Sequence, residues 1–269
     1  MLEGASDGGV RTSFLMPRFK LSFDVGYGDP RLIEVSRILL THGHLDHAAG
    51  LPYYISQRAL RHLSPPEIYC PAEMVEPFQG IMKLWAKIED FEAEYHIAGV
   101  EHGRLYPLQE RYYFQTVPAV HRIPAASYII TEKTVKLKSE FLGLPGPQIA
   151  KLRKERDDLF TEELIPRLAF SGDTRIELVL ENEIIRKSRI LFLECTYVSE
   201  DRSVERARKW GHLHLDEIAA NAEAFRETER LFLIHLSPRY RREEVREALK
   251  RKLPDWLFEK TIACVDTRR

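Results

Sequence analysis

The stretch Thr41-His42-Gly43-His44-Leu45-Asp46-His47 decides the fold, because it places three imidazoles and one carboxylate within six residues. It ends a predicted strand over residues 37–41, and a helical pattern over residues 48–60 follows it. In an extended chain, side chains two positions apart share a face, so His42 and His44 can bind one ion while the next turn directs Asp46 and His47 toward another. A polar loop of solvated histidines is the alternative, and such a density of donors argues against it.

Further donors follow three more apolar runs of the sequence. Imidazole nitrogen and carboxylate oxygen suit zinc, and manganese or iron accept the same set. A lone histidine after a strand is more often a surface or core residue, so the prediction depends on these donors joining the first cluster. They are His121 after residues 117–120, Asp173 in Ser171-Gly172-Asp173-Thr174 after residues 168–170, and His235 after residues 231–234.

The order and local context of these seven residues resemble the metallo-β-lactamase superfamily. The resemblance implies an α/β fold, the αββα four-layer sandwich, in which two mixed β-sheets are flanked by helices and the metals lie at one edge between the sheets. It also implies two Zn²⁺ ions per subunit, with Mn²⁺ or Fe²⁺ as alternatives. By this resemblance His42, His44 and His121 hold the first ion, Asp46, His47 and His235 hold the second, and Asp173 bridges both.

A further segment that fits the superfamily is Phe23-Asp24-Val25-Gly26. The resemblance implies that Asp24 supports the ligand loop. A simple turn at the end of a strand explains the segment almost as well.

Three other segments resemble ribonuclease Z, especially its short, plant-like form. The first is His235-Leu236-Ser237-Pro238-Arg239-Tyr240, which matches the family signature around the last ligand. The second pairs Glu194-Cys195-Thr196 with Gly211-His212-Leu213-His214 at the head of a helix. Many members carry a histidine before that glutamate, where this chain has Leu193, so only Glu194 is carried over.

The third segment is a short basic arm at about residues 133–160, with Leu142-Gly143-Leu144-Pro145-Gly146-Pro147 followed by four cations. Glycine and proline set a turn, and nearby cations can neutralise phosphates and release counterions. The resemblance implies RNA contacts by Lys151, Arg153 and Lys154. Arg239 is expected to meet a phosphate, with a buried salt bridge as the alternative. For the arm, which we expect to be a loop, the alternative is a solvated charged surface.

The resemblance implies a zinc-dependent endoribonuclease that removes the 3′ trailer from precursor transfer RNA and leaves a 3′-hydroxyl on the transfer RNA. Asp46 is expected to take the proton of the attacking water. His212, oriented by Glu194, is expected to protonate the departing 3′ oxygen. His214 is expected to have a structural role at the start of a helix. The implied partners are precursor transfer RNA and a second copy of the chain, because relatives in this family work as homodimers.

Two rival functions would use the same ligands. A small-molecule hydrolase, such as a phosphodiesterase or lactonase, would need an enclosed pocket and leaves the basic arm and the Glu194/His212 pair unexplained. A catalytically silent RNA-binding or scaffold protein would keep the fold, but all seven predicted ligands are present.

The composition sets the outer limits of these predictions. At 269 residues, 44% of them hydrophobic, the chain is expected to form one domain over residues 1–269. Its net charge of −1 gives no overall attraction to a polyanion, so RNA binding needs a local basic patch. Three scattered cysteines indicate no disulfide framework, which favours the cytoplasm. No apolar run approaches the roughly 20 residues of a membrane span, so no membrane partner is expected.

The remaining pattern predicts alternating strands and helices. Strands are expected over residues 10–16, 19–25, 37–41, 168–170, 190–193 and 231–234, near Ile68 and Ile262, and within 111–131. Helices are expected over residues 48–60, 74–87, 215–225 and 243–253.

Overall fold

A computed structural model of the chain describes residues 2–156 and 158–265. The ends of the predicted domain, Met1 and residues 266–269, lie outside the described residues, as does position 157 of the predicted arm.

The first β-sheet is built in chain order from six strands. Its first three strands are antiparallel neighbours, and the third to sixth strands are parallel. The strands are β1 (Glu3–Asp7), β2 (Arg11–Met16), β3 (Leu21–Phe23), β4 (Arg37–Leu39), β5 (Glu67–Pro71) and β6 (His96–Val100).

The second β-sheet has seven strands in the order β13-β12-β11-β10-β9-β8-β7. Strands β10 to β13 are parallel neighbours, whereas β7 to β10 are antiparallel neighbours. Strands β8, β10, β11 and β12 therefore all run in one direction. The strands are β7 (Tyr106–Pro107), β8 (Tyr112–Pro118), β9 (Ala126–Leu137), β10 (Phe160–Phe170), β11 (Ile190–Glu194), β12 (Arg230–Ile234) and β13 (Thr261–Ala263).

Helices connect the strands and cover the outer faces of both sheets. They are α1 (Leu45–Ala48), α2 (Leu51–Leu60), α3 (Val75–Glu89), α4 (Gly146–Glu155), α5 (Glu177–Glu181), α6 (Glu183–Arg186), α7 (Val204–Lys209), α8 (Leu215–Ala220), α9 (Arg242–Lys252) and α10 (Asp255–Phe258). No helix in the described ranges has the length and apolar character needed to cross a bilayer.

Aromatic side chains from both sheets form the core between them. Phe23 of β3 stacks on Phe170 of β10 with ring centroids 4.7 Å apart, and Phe14 of β2 meets Phe170 edge to face at 5.6 Å. Tyr128 of β9 is fully buried in the same cluster. Aromatic pairs of this kind stabilise the core beyond the area that they bury.

Two further apolar clusters lie on the outer faces. One joins β4 and β5 to α2 and α3 through residues such as Ile38, Ile55 and Met82. The other joins the parallel strands of the second sheet to α5, α8 and α9 through residues such as Leu193 and Ile218. The layers are therefore helix, sheet, sheet and helix, which confirms the predicted αββα sandwich.

Most predicted strands and helices are present with shifted ends. The helical pattern over residues 48–60 is two helices, α1 and α2, because Gly50 interrupts it. The pattern over residues 215–225 is α8 followed by a 3₁₀ turn, Ala222–Phe225.

The prediction that the arm is a loop is wrong. Strands β9 and β10 extend beyond the sheet as a paired hairpin that reaches Leu137 and Phe160, and α4 lies at its tip. Phe141 and Leu159, which lie on either side of α4 in the chain, are buried. The glycine and proline residues mark the start of this helix, where proline needs no hydrogen-bond donor.

Candidate metal centre

The predicted ligands follow strands whose carboxyl ends meet at one edge of the sandwich. The His42–His47 segment follows β4 of the first sheet. In the second sheet, His121, Asp173 and His235 follow β8, β10 and β12, which run in the same direction. A bridge between Asp7 and Leu236 joins the two sheets beside His235. Parallel strand direction therefore places donors from distant parts of the chain together.

Asp24 anchors the ligand loop from beneath. Its Oδ1 accepts a hydrogen bond from the backbone N–H of Thr41 at 2.7 Å, and its Oδ2 lies 2.7 Å from His47 Nδ1. The carboxylate is fully buried and its backbone takes the left-handed φ of 55°. These contacts support the ligand loop, as predicted for Asp24.

Gly172 allows the Asp173 loop to approach the histidine loop. A Cβ atom at Gly172 would lie only 2.7 Å from Thr41 Cβ, and its φ is +61°. A larger residue there would push the two loops apart. This glycine thus brings Asp173 within 3.5 Å of His42 Nε2 and 3.3 Å of His47 Nε2.

The donor atoms fall into groups whose members all lie within 4.8 Å of one another. His44 Nδ1 lies 3.1 Å from His42 Nε2 and 3.3 Å from His121 Nε2. Zinc–nitrogen bonds of about 2.0–2.1 Å in a tetrahedron would put ligand atoms about 3.3 Å apart. The groups are His42, His44, His121 and Asp173; Asp46, His47 and His235; and Asp173, His212 and His235.

Hydrogen bonds at Nδ1 turn four of the histidines so that Nε2 presents a lone pair. Thr41 Oγ1 lies within 3.0 Å of both Asp24 oxygens, so its proton goes to the carboxylate and it accepts from His42 Nδ1 at 3.0 Å. The carboxylate of Asp24 likewise accepts from His47 Nδ1. His121 Nδ1 donates to the carbonyl of Gly211 at 2.9 Å. Such outer contacts fix the tautomer of ligand histidines.

His235 is held in the same way by Thr196. The Thr196 hydroxyl donates to Glu194 Oε2 at 2.9 Å, so it accepts from His235 Nδ1 at 2.9 Å. The backbone of His235 has a left-handed φ of 57°, and its N–H donates to Ser6 Oγ at 2.9 Å. Strained backbone of this kind is found at functional sites.

Two buried atoms at the centre of the cluster fit a cation. His47 Nε2 and Asp173 Oδ1 have no hydrogen-bond partner among the described residues, although they lie 3.3 Å apart. With Nδ1 donating to Asp24, Nε2 of the neutral His47 imidazole is an acceptor, and it faces the Asp173 carboxylate away from water. Unpaired buried acceptors are costly, and a divalent cation would satisfy both. The donors therefore fit the metal that their chemistry indicates.

Burial and neighbouring charges set the pKa values of the donor groups, and they act on His47 differently from the other histidines. Burial lowers the pKa of His42, His44 and His121, so these imidazoles are neutral at neutral pH. Although burial disfavours its ionised form, the pKa of Asp173 lies well below its usual range because His235, His47 and His42 surround it. Burial lowers the pKa of His47, but Asp173 and Asp24 outweigh burial and raise it well above its usual value. A proton and a metal ion thus compete for His47.

Glu194 and His212 form a pair beside the cluster, as the sequence predicts. His212 Nδ1 lies 3.0 Å from Glu194 Oε1, which also accepts from the backbone N–H of Thr174 at 3.1 Å. Burial disfavours the imidazolium, but Glu194, together with Asp173 and Asp46, raises the pKa of His212 to about 9. His214 caps α8 by accepting from the N–H of Asp216, so it has the structural role predicted for it.

Asp46 is held by contacts that the sequence did not indicate. Its Oδ2 accepts from the backbone N–H of Gly9 at 3.0 Å and lies 3.2 Å from His235 Nε2. Burial raises its pKa, but His235 and His47 outweigh burial and lower it. No supporting role was predicted from the sequence for Thr41, Thr196, Gly211 or the turn after β1. The first three stand in the sequence only as neighbours of predicted site residues.

The residues that are predicted to contact RNA lie outside the donor groups. Lys151, Arg153 and Lys154 are exposed on α4, and Arg153 stacks on Phe160 at 5.6 Å. Arg239 lies 3.5 Å from Asp201 in an exposed ion pair, and its Nε donates to Ser237 Oγ at 2.9 Å. The salt bridge that was the alternative for Arg239 is therefore present, but it is solvated.

Two surface clefts are lined by residues of the cluster or by their neighbours in the chain. One of about 560 Å³ is lined by Ser237, Arg239 and Tyr240 next to His235. Another of about 440 Å³ is lined in part by His121. Among the donors, His121 therefore lies on a surface cleft, and the first cleft is lined by residues that follow His235 in the chain.

The sandwich and its donor cluster define a metal-binding hydrolase fold, and the family model described as "Metallo-beta-lactamase superfamily" matches residues 29–183. The chain belongs to this superfamily. It is 31% identical over 250 residues to tRNase Z TRZ1 of Arabidopsis thaliana, covering 92% of this chain and 89% of that protein. It is also 32% identical to the ribonuclease Z of Methanothermobacter thermautotrophicus, with 83% and 79% of the two chains covered. Within the superfamily, the chain therefore belongs to the ribonuclease Z family.

A solved structure has the same fold. The crystal structure of human tRNase Z, short form, aligns with a TM-score of 0.64 and 17% identity over 98% of this chain and 96% of that one. At this identity the likeness shows the fold alone.

Proposed function

We propose that this protein is a metal-dependent endoribonuclease that removes the 3′ trailer from precursor transfer RNA. The observation that carries the proposal is the Glu194–His212 pair beside a paired donor cluster, in a chain whose relatives are named ribonuclease Z. A small-molecule hydrolase of the same fold is the less favoured function. It gives no role to this pair, and the clefts beside the cluster lie at the surface.

We infer that two Zn²⁺ ions occupy the cluster. His42, His44 and His121 would hold the first and Asp46, His47 and His235 the second, with Asp173 between them. Bound divalent ions would lower the pKa of water and offset charge on phosphoryl oxygens. The two unpaired acceptors at His47 Nε2 and Asp173 Oδ1 support this arrangement.

Two side chains of the chain carry out the two proton transfers. Asp46 accepts the proton of the attacking water, with its carboxylate oriented by the N–H of Gly9. His212 donates a proton to the departing 3′ oxygen, while Glu194 holds its Nδ1 and so directs Nε2 outward. The products are a 3′-hydroxyl on the transfer RNA and a 5′-phosphate on the trailer. Positioned acids and bases contribute roughly 10²–10⁴-fold to such reactions.

RNA binding is assigned to local cations, because the net charge is near zero. Lys151, Arg153 and Lys154 on α4 would contact phosphates of the transfer RNA, and Arg239 would contact one near the cluster after leaving Asp201. We further propose a homodimer, in which the arm of one subunit presents RNA to the other, and a cytoplasmic setting. Light scattering that shows only a monomer would rule out the dimer. Imaging of a tagged chain tests the compartment.

The decisive experiment maps the cut. Zinc-loaded protein is incubated with a precursor transfer RNA that has a 3′ trailer, and both new ends are identified, with a lactone panel run in parallel. Cleavage directly after the mature end, leaving a 3′-hydroxyl, is expected. His121→Ala serves as the control against a contaminating nuclease and should be inactive. Lactone hydrolysis without RNA cleavage would favour the rival function instead.

A further inference from the structure

An exposed tryptophan lies next to the proposed reaction site. Trp210 ends α7 and is 45% exposed. The guanidinium carbon of Arg122 lies 4.6 Å from the centre of its indole ring. Arg122 directly follows the ligand His121, and Trp210 lies two residues before His212. The two members of this arginine–aromatic pair therefore adjoin, in the chain, a proposed metal ligand and the proposed general acid.

Gly211 fixes this pair to the metal centre. Its φ is +79°, and a Cβ atom there would lie 2.7 Å from His121 Nδ1 and 3.1 Å from the backbone nitrogen of Arg122. The Gly211 carbonyl accepts the hydrogen bond from His121 Nδ1 at 2.9 Å. The segment that carries Trp210 thus packs directly on the segment that carries Arg122, so both side chains are held in place relative to the ligands.

The charge of Arg122 is not neutralised within the part of the chain that the structure describes. No carboxylate there forms an ion pair with it, and its side chain is exposed. The other close arginine–tryptophan pair, Arg226 on Trp256 at 3.9 Å, differs in this respect because Glu223 lies 2.9 Å from the guanidinium. Arg122 is therefore available to an anionic ligand, whereas Arg226 is already paired.

We propose that Trp210 and Arg122 form a nucleotide-binding subsite for the last nucleotide that is retained on the RNA. The base stacks on the exposed part of the Trp210 indole, and Arg122 contacts the adjoining phosphate. This deepens the proposed function and rests on it. Because His212 would protonate the 3′ oxygen of that nucleotide, and because Gly211 packs the Trp210 segment against His121, we assign the platform to the retained nucleotide. Aromatic stacking accepts any base, which suits a cut defined by position.

The first test compares variants on a precursor transfer RNA. Trp210→Ala should lower kcat/KM about tenfold, mainly through KM, because base stacking on an aromatic residue has a value of this order. Trp210→Phe should retain most of the activity, and Arg122→Ala should lower kcat/KM. Trp85→Ala is the matched control, since Trp85 is 44% exposed on α3 and should give wild-type kinetics.

The second test removes the base instead of the tryptophan. With the wild-type enzyme, an abasic residue at the last retained position should lower kcat/KM about tenfold. With Trp210→Ala, the same abasic residue should cause no further loss of kcat/KM. If the loss follows an abasic residue at the first trailer position, or if the two losses are independent, the subsite assignment is wrong.

A binding measurement separates this inference from the proposed function. A short single-stranded oligoribonucleotide should quench tryptophan fluorescence in the wild type and in Trp85→Ala, but not in Trp210→Ala. Absence of precursor cleavage by the wild type would overturn the proposed function, and the quenching would still report on the subsite. Cleavage with equal quenching in all three proteins would overturn the subsite alone.

Discussion

At the scale of single residues, Asp24 acts on the proposed metal centre through His47. Its Oδ2 accepts a hydrogen bond from His47 Nδ1 at 2.7 Å, which turns Nε2 toward Asp173 and Asp46. Its Oδ1 holds the backbone of Thr41 at the start of the ligand loop. One buried carboxylate thus sets both the tautomer of a ligand and the position of the loop that carries it.

Replacing Asp24 by asparagine should therefore weaken metal binding. We expect Asp24→Asn to lower zinc affinity by about 10- to 100-fold, the usual effect of losing an outer partner of a ligand histidine. Competition with a chromophoric chelator measures the change. Asp29→Asn is the control, since Asp29 pairs with Arg31 in the same loop and contacts no predicted ligand. Equal affinities of wild type and Asp24→Asn would contradict this role.

The assignment of His212 as general acid predicts a substrate-dependent loss. His212→Ala should lower kcat on a precursor transfer RNA by about 10²–10⁴-fold. A precursor with sulfur in place of the bridging 3′ oxygen should recover most of that loss, because a thiolate leaves without a proton. Asp24→Asn serves as the control and should not be rescued.

A ligand role for His212 is the alternative, because it groups with Asp173 and His235. If His212 is a ligand, His212→Ala would lower zinc affinity, and the sulfur-containing substrate would not restore kcat.

The supporting residues could not be predicted as the ligands were. The donors stand out because histidine and aspartate after an apolar run have few structural uses. Thr41, Thr196 and Gly211 are ordinary residues in sequence, and their roles come from contacts such as that of Thr196 with His235, 39 positions away. Only the folded chain shows these contacts.

At the scale of elements, the arm shows where sequence patterns mislead. Pro145 and Pro147 suggested a loop, yet Pro145 precedes α4 and Pro147 lies in its first turn, where proline fits. The helix carries no fully buried side chain of its own. Its support comes from the paired ends of β9 and β10, and Phe141 and Leu159 on either side of it in the chain are buried. Such support depends on pairing across more than twenty residues, which local patterns do not encode.

If the cations of α4 contact phosphates, removing them should change the salt dependence of RNA binding. Lys151→Gln with Lys154→Gln should reduce the slope of log affinity against log salt concentration by about 2, near 0.9 for each lost phosphate contact. Fluorescence anisotropy with transfer RNA at several salt concentrations measures the slope.

Lysines on strand β9 of the same arm provide the matched control. Lys133 and Lys136 already pair with Glu162 and Glu163, so Lys133→Gln with Lys136→Gln should leave the slope near that of the wild type. Equal slopes for both double variants would show that α4 does not meet the phosphates.

At the scale of the whole molecule, the donor cluster depends on the order of strands in two sheets. The residues predict strands and helices, and the resemblance to a known superfamily implies the layers. Strand order did not follow from the residues themselves, because pairs such as β11 with β12 join segments about 40 residues apart. Yet this order, with β8, β10 and β12 running alike, is what brings His121, Asp173 and His235 together.

The core between the sheets should therefore control metal affinity as well as stability. Phe170 is fully buried and contacts Phe14 and Phe23 of the opposite sheet. It comes directly before Ser171-Gly172-Asp173 in the chain. Phe170→Ala should lower the free energy of unfolding by about 3–5 kcal/mol, as expected when a buried aromatic is removed. It should also weaken zinc binding, because β10 can shift away from β3 and take Asp173 with it. Urea unfolding of the chelated protein and chelator competition measure the two effects.

A control for this coupling lies in the outer cluster. Phe225 is also fully buried, but it packs in the cluster between the second sheet and its helices. Phe225→Ala should cost a similar free energy of unfolding and leave zinc affinity within about twofold of the wild type, because effects at distant, independent sites add. If both variants weaken zinc binding equally, loss of stability alone explains the change. A selective loss in Phe170→Ala would instead tie the position of Asp173 to the packing between the sheets.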